Sequence, residues 1–119
     1  MILCVVEDLI FSVKISTAAK ALGVEVQFER AAEMVLSRIR EKQPALVILD
    51  LNSTKLQPME VVAALKADPD LKHIETLGYV SHVQTDIIAA ARMAGIDDVL
   101  ARSAFSDRLR EILTPKDRS

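Results

Sequence analysis

The sequence predicts an α/β protein, a parallel five-stranded sheet doubly wound by five helices. Three observations predict it. Compact apolar runs of about five residues recur along the 119-residue chain. Longer segments between them carry apolar residues at helical spacing. Glycine and proline stand at the boundaries, where helices stop or start. Strands without a wet face belong in a sheet covered on both sides, and steady β–α alternation makes that sheet parallel.

The elements follow in order. Ile2–Val6 (ILCVV) is a continuous apolar strand. In Leu9–Leu22, Phe11, Ile15, Ala18, Ala19 and Leu22 recur at helical spacing, and Gly23 stands at the C-cap. Val24–Phe28 alternates, as a strand with one wetter face does. Ala31–Gln43 is a helix with Val35, Leu36 and Ile39 inward and basic residues in its last turns; Pro44 ends it. Ala45–Leu49 is a second fully apolar strand. Pro58–Ala67 is a helix with proline in its first turn and Pro69 just beyond its end. Thr76–Val80 is a strand, Gln84–Gly95 a helix closed by glycine, Asp97–Ala101 the last strand and Phe105–Leu113 the last helix. Such a chain takes the strand order 2-1-3-4-5, the flavodoxin-like arrangement of a (βα)5 unit. Residues 1–119 read as one domain, with a tail from about 114 to 119 expected to fray.

Composition excludes several classes. The net charge is −2 with both signs interspersed, aromatics make up 3 % and tryptophan is absent. The basic footprint and stacking platforms of a nucleic-acid binder are therefore missing. No apolar run reaches the ~20 residues of a membrane span. The start lacks the basic region and cleavage site of a secretory leader. Cys4 is the single cysteine, which rules out an internal disulfide framework and a multi-cysteine zinc site. The expectation is a cytoplasmic protein with neither nucleic acid nor membrane as partner. Gly23, Gly78 and Gly95 are isolated, so no glycine-rich phosphate loop is present, and no GxSxG nucleophile elbow occurs.

In a doubly wound sheet, ligands sit beyond the carboxyl ends of the strands at the switch point. Here the first strand ends in Glu7-Asp8, the third in Asp50, the fourth in Ser81-His82 and the fifth in Arg102-Ser103. Three carboxylates at one edge repel one another. A hard divalent cation would relieve them, and Mg2+ prefers a few carboxylates together with waters and phosphate oxygens. A carboxylate beside such a metal is also a nucleophile toward phosphorus. The metal, a hydroxyl and a cation would stabilise the phosphoryl oxygens.

These residues resemble a response-regulator receiver domain of the stand-alone, chemotaxis-regulator type. The resemblance runs from Ile2 to about Leu113 and rests on CVVED, LVILDLN, IIAAARMAG and the spacing from the acid pair to Asp50, Ser81 and Arg102. It implies that Asp50 accepts a phosphoryl group from a histidine kinase or phosphotransfer protein. It also implies that Glu7, Asp8, Asp50 and the backbone carbonyl of Asn52 hold Mg2+, and that Ser81 and Arg102 contact the phosphoryl group. Such a chain is a two-component phosphorelay protein rather than an enzyme, its only catalysis being self-phosphotransfer and autodephosphorylation. The chain ends soon after its last helix, so output is expected through a downstream protein partner. The last helix–strand–helix face, with Arg92, Asp97, Asp98, Asp107, Arg108 and Arg110, would be the partner or homodimer surface. Mixed charge there equally describes a solvated face.

The sequence also departs from the family. The loop after the acceptor reads NSTKLQP, Arg102 stands for the usual lysine, Ser103 for the usual proline, and Val99 for the switch aromatic. Arginine is planar and forked where lysine is compact, so the exchange is not conservative. A non-proline cis bond costs ~3 kcal/mol, so the peptide before Ser103 is expected to be trans or its loop reshaped. These departures keep a second reading open: a pseudo-receiver interaction module not switched by phosphate. A metal-dependent phosphohydrolase is a third, but Asn52 stands where such enzymes carry a second catalytic acid. Arg102 could instead form a structural ion pair with Asp50. His82 and His73 read as surface residues, Cys4 as a core hydrophobe, Met34, Met59 and Met93 as core filling, and Tyr79 as half-buried with its hydroxyl near the surface.

Overall fold

The apolar runs form the strands, and the helical-period segments wrap them. The protein is described by a computed structural model covering residues 1–81 and 84–114; the expectations for His82 and for the tail from 115 onward lie outside the described residues. The elements are β1 (Ile2–Val5), α1 (Leu9–Leu22), β2 (Val26–Phe28), α2 (Ala32–Lys42), β3 (Leu46–Asp50), α3 (Pro58–Ala67), β4 (Glu75–Val80), α4 (Thr85–Ala94), β5 (Asp98–Ala101), α5 (Arg102–Asp107) and α6 (Leu109–Leu113). All strand pairs are parallel and the order is β2-β1-β3-β4-β5. The predicted sheet is the observed one.

Strand alternation divides the core in two. Ile2, Cys4, Leu46 and Ile48 face α1, α5 and α6, where Phe11, Ile15, Phe105, Leu109 and Ile112 meet them. Leu3, Val5, Val47 and Leu49 face the other side, against Val35, Ile39, Val62, Leu65 and Ala91 of α2, α3 and α4. Cys4 is fully buried, and burial pushes its thiol up to about 12. It packs as a small hydrophobe, as expected.

Three expectations need correction. The last helix begins at Arg102 rather than Phe105 and breaks at Arg108 (φ −99, ψ 10). Met34 and Met93 do not fill the core; Met93 is 90 % exposed, while Met59 packs against it. Asp97 is not a free member of the outer face. Its Oδ2 accepts from Lys66 Nζ (2.8 Å), Thr76 N (2.8 Å) and Thr76 Oγ1 (3.0 Å), and Lys66 also donates to the carbonyls of Ile74 (2.8 Å) and Lys72 (3.1 Å). This network ties α3, β4 and the start of β5 at the amino edge of the sheet. Burial disfavours the Asp97 charge, but the bonds from Lys66 and Thr76 together hold its carboxyl below the usual range.

Gly78 has a steric reason. A Cβ there would lie 2.6 Å from Leu51 Cδ1 and 2.9 Å from Ile96 Cδ1, inside the α3–α4 core. A strand glycine often marks such a close approach. Gly78→Ala should therefore overpack the sheet and cost ~1–3 kcal/mol of unfolding free energy in urea denaturation.

Candidate functional site

Strand register brings the predicted site residues to one edge. Val5 pairs with Leu49, so Glu7 and Asp8 leave β1 beside the end of β3, where Asp50 is the last strand residue. Asp50 pairs with Tyr79, two residues before Ser81, and Val80 pairs with Ala101, one residue before Arg102. Parallel pairing puts all these strand ends on the same side.

The three acids are stabilised in different ways. Asp8 caps α1: its Oδ1 accepts from the backbone N–H of Ile10 (2.8 Å) and Phe11 (3.2 Å). Its Oδ2 forms an ion pair with Arg102 Nη2. Burial works against the Asp8 charge, yet the two N–H bonds and the guanidinium outweigh it and lower the pKa. Glu7 is exposed, and its Oε2 accepts from Ser53 Oγ at 2.7 Å. The same Oγ accepts from Leu56 N (3.2 Å), so Ser53 ties Glu7 to the NSTKLQP loop. Asp50 is buried, and its Oδ1 accepts from Asn52 N (3.0 Å). Burial raises its pKa; Asn52 and Arg102 pull it down, Asp8 and Glu7 push it up, and the net shift is upward.

Arg102 is paired with Asp8, not with Asp50. The reason lies in the backbone. A proline at 103 would bias the residue before it away from helical angles. With Ser103 there, and no cis peptide among the described residues, α5 starts at Arg102. Side chains lean toward a helix's own N-terminus, which directs Arg102 at the sheet edge. Its guanidinium carbon sits 4.3 Å from the Phe11 ring centroid, within cation–π range.

Asn52 works through its side chain as well as the loop. Its Oδ1 accepts from Ser81 N (2.7 Å) and its Nδ2 donates to Gln84 Oε1 (2.7 Å), which joins the β3 end to the β4 end and the start of α4. Ser81 is half-buried and lines, with Phe11, Lys14, Arg102, Ser103 and Ser106, an open cleft of about 460 Å³. A second cleft, about 570 Å³, lies on the α3–α4 side and includes Asn52, Ser53, Thr54 and Gln57.

Among the described residues no group of three or more His, Cys, Asp or Glu is set to hold a metal ion. Asp8 is paired with Arg102, and Glu7 accepts from Ser53. The oxygen donors have the right chemistry for a hard cation, and one of them, Asp8 Oδ2, is in the Arg102 ion pair.

Tyr79 also departs from expectation. It is buried, its hydroxyl has no partner among the described residues, and its ring lies 4.9 Å from Phe11 and 4.8 Å from Phe105, centroid to centroid. Burial, reinforced by the Asp50 charge, raises its pKa. Position 79 faces the α1–α5 layer of a central strand, which is why it is dry. Ser53, Phe11, Gln84 and Tyr79 were not legible as site residues. The hydroxyl of Ser53 in a turn-rich loop was the one available signal.

No family model and no curated protein sequence matches the chain. Solved structures do. The chain is similar to the phosphorylated cyanobacterial phytochrome response regulator RcpA (25 % identity, 95 % of this chain and 88 % of that one, TM-score 0.73). It is similar to the Mn2+-bound form of response regulator Rcp1 (22 %, 93 % and 89 %, 0.78). It is also similar to a response regulator from Hahella chejuensis (18 %, 95 % and 91 %, 0.84).

A carboxyl whose pKa is raised on folding opposes folding when ionised, and that opposition fades as pH falls through the folded value. Asp50→Asn should therefore raise the melting temperature at pH ~7 in chelator-containing buffer, and the gain should shrink as pH falls through the raised folded value and be gone below the ordinary aspartate value of ~4. A thermal melt series across pH checks the sign. With register, strand order and edge residues agreeing, and the solved structures alike over nearly the full length, the chain has the fold of the response-regulator receiver domains.

Proposed function

We propose that this chain is a receiver in two-component signalling that accepts a phosphoryl group on Asp50 from a histidine kinase or phosphotransfer protein. The observation that carries the reading is Asp50 itself. It is a buried carboxylate with a raised pKa, at a strand end, between neighbouring acids and a guanidinium. Perturbed groups of this kind mark reactive sites.

The Asn52 N–H holds Oδ1 of Asp50, which leaves Oδ2 as the attacking atom. That oxygen forms the new O–P bond as the P–N bond of a phosphohistidine breaks, and the imidazole leaves with the electron pair. Ser81 and Arg102, both lining the cleft beside α1, would contact the phosphoryl oxygens. Glu7, Asp8, Asp50 and the Asn52 carbonyl would hold Mg2+, which supplies positive charge to the phosphoryl oxygens when bound. Added charge at Asp50 would bias the adjoining loops and the α4–β5–α5 face, and so its contact with a downstream protein or a second copy, in the cytoplasm.

The Arg102–Asp8 pair favours a second reading, an interaction module that keeps the fold without switching. One titration separates the two. Beryllofluoride with Mg2+ should shift amide resonances clustered around Asp50, and the shifts should vanish in Asp50→Asn. Acetyl phosphate should add one phosphoryl mass to the native chain and none to that variant. A flat titration together with an unchanged mass favours the module.

A further inference from the structure

We propose that Arg102 is the resident cation of the acidic edge, and that a divalent ion must compete with it for Asp8. The inference concerns the site of the proposed receiver reading and takes the identity of the competing ion from it. Among the described residues, Arg102 is the only cation in an ion pair with Glu7, Asp8 or Asp50. Both oxygens of Asp8 are engaged, one by the first turn of α1 and one by Arg102. The other face of the guanidinium rests over Phe11 at 4.3 Å, and Phe11 belongs to the same first turn of α1. Arg102 is thus held by a ring and a carboxylate that move together, from a helix that starts at Arg102 itself. Lys14, which lines the same cleft, donates instead to Ser106 Oγ at 3.0 Å. No three-acid cluster forms among the described residues, as expected if one acid is already neutralised.

A divalent cation entering this edge loses one carboxylate to Arg102 and meets a fixed positive charge. Its affinity is lowered by both effects. Coupling of this kind is reciprocal: whatever draws Arg102 off Asp8 raises metal affinity by the same factor by which metal favours the released arginine.

The test is Mn2+ binding followed by the paramagnetic signal of the free ion, with Mg2+ heats as a second readout. It uses the native chain, Arg102→Gln, Arg102→Lys and, as a bulk-charge control, Arg40→Gln, whose partner Asp68 lies at the end of α3. The expected result is binding about tenfold tighter in Arg102→Gln, a smaller gain in Arg102→Lys, and none in Arg40→Gln. The lysine variant keeps the charge and loses the planar fork, so it remains informative if the glutamine variant fails to fold. Native affinity in the Arg102 variants, or an equal gain in Arg40→Gln, overturns the proposal. Acetyl phosphate labelling of Asp50 in the native chain, measured separately, distinguishes failure of this inference from failure of the receiver reading.

Discussion

The carboxyl edge of this sheet is organised by the unequal compensation of Glu7, Asp8 and Asp50. Carboxylates drawn out of water each need donors or counter-charge to remain ionised. The chain distributes these unequally. Asp8 receives a helix N-terminus and a guanidinium. Glu7 has solvent and one hydroxyl. The carboxylate of Asp50, the most buried of the three, accepts one hydrogen bond among the described residues, from its neighbour Asn52. The electrostatic cost therefore concentrates on one oxygen pair. A carboxylate that is poorly compensated within the fold is the one whose ionisation burial most disfavours.

Arg102 connects that electrostatic problem to the hydrophobic core. It leans on Phe11, and Phe11 contacts the rings of Tyr79 and Phe105. Phe105 lies one turn along α5 from Arg102. Movement of the guanidinium away from Asp8 thus changes the exposed face of a ring packed between α1 and α5. Close-packed interiors transmit such shifts rather than absorb them. Val99 packs against the opposite core and takes no part in this stack. The buried Tyr79 hydroxyl, adjacent in register to Asp50 and without a partner among the described residues, is the one polar group in the stack that a charge change at Asp50 would reach.

The sheet was legible in the sequence because its signals are redundant. ILCVV, ALVIL and TLGYV can only be strands in a chain whose intervening segments have helical period and glycine stops. Strand order followed from alternation, and the edge residues from strand order. The pairings within the edge were not legible. That Asp8 caps α1 is a local pattern, but its second oxygen depends on where α5 begins, and the FSDRLREIL periodicity placed that start three residues late. Ser103 was read as a departure from proline, yet its consequence, a helix reaching back to Arg102, is a matter of backbone geometry. Ser53 and Asn52 act across the sheet, on Glu7 and on Ser81, at sequence separations of 46 and 29. No periodicity reports contacts of that range. Met93 shows the same limit from the other direction: helical spacing marks a face without saying whether anything covers it.

The two edges of the sheet treat aspartate in opposite ways. At the amino edge, one oxygen of Asp97 collects Lys66 and both donors of Thr76, and Lys66 in turn satisfies two backbone carbonyls. Every partner lies within the fold, and the net pKa shift is downward despite burial. Such a network rigidifies the turn into β5 and leaves its carboxylate no incentive to react. At the carboxyl edge, burial shifts the Asp50 pKa upward, and one backbone N–H and the nearby Arg102 charge do not offset it. Both residues follow from one rule, that strands end in groups able to meet loops and helix termini. The sign of the shift tells them apart: donors supplied by the chain outweigh burial at Asp97 and do not at Asp50.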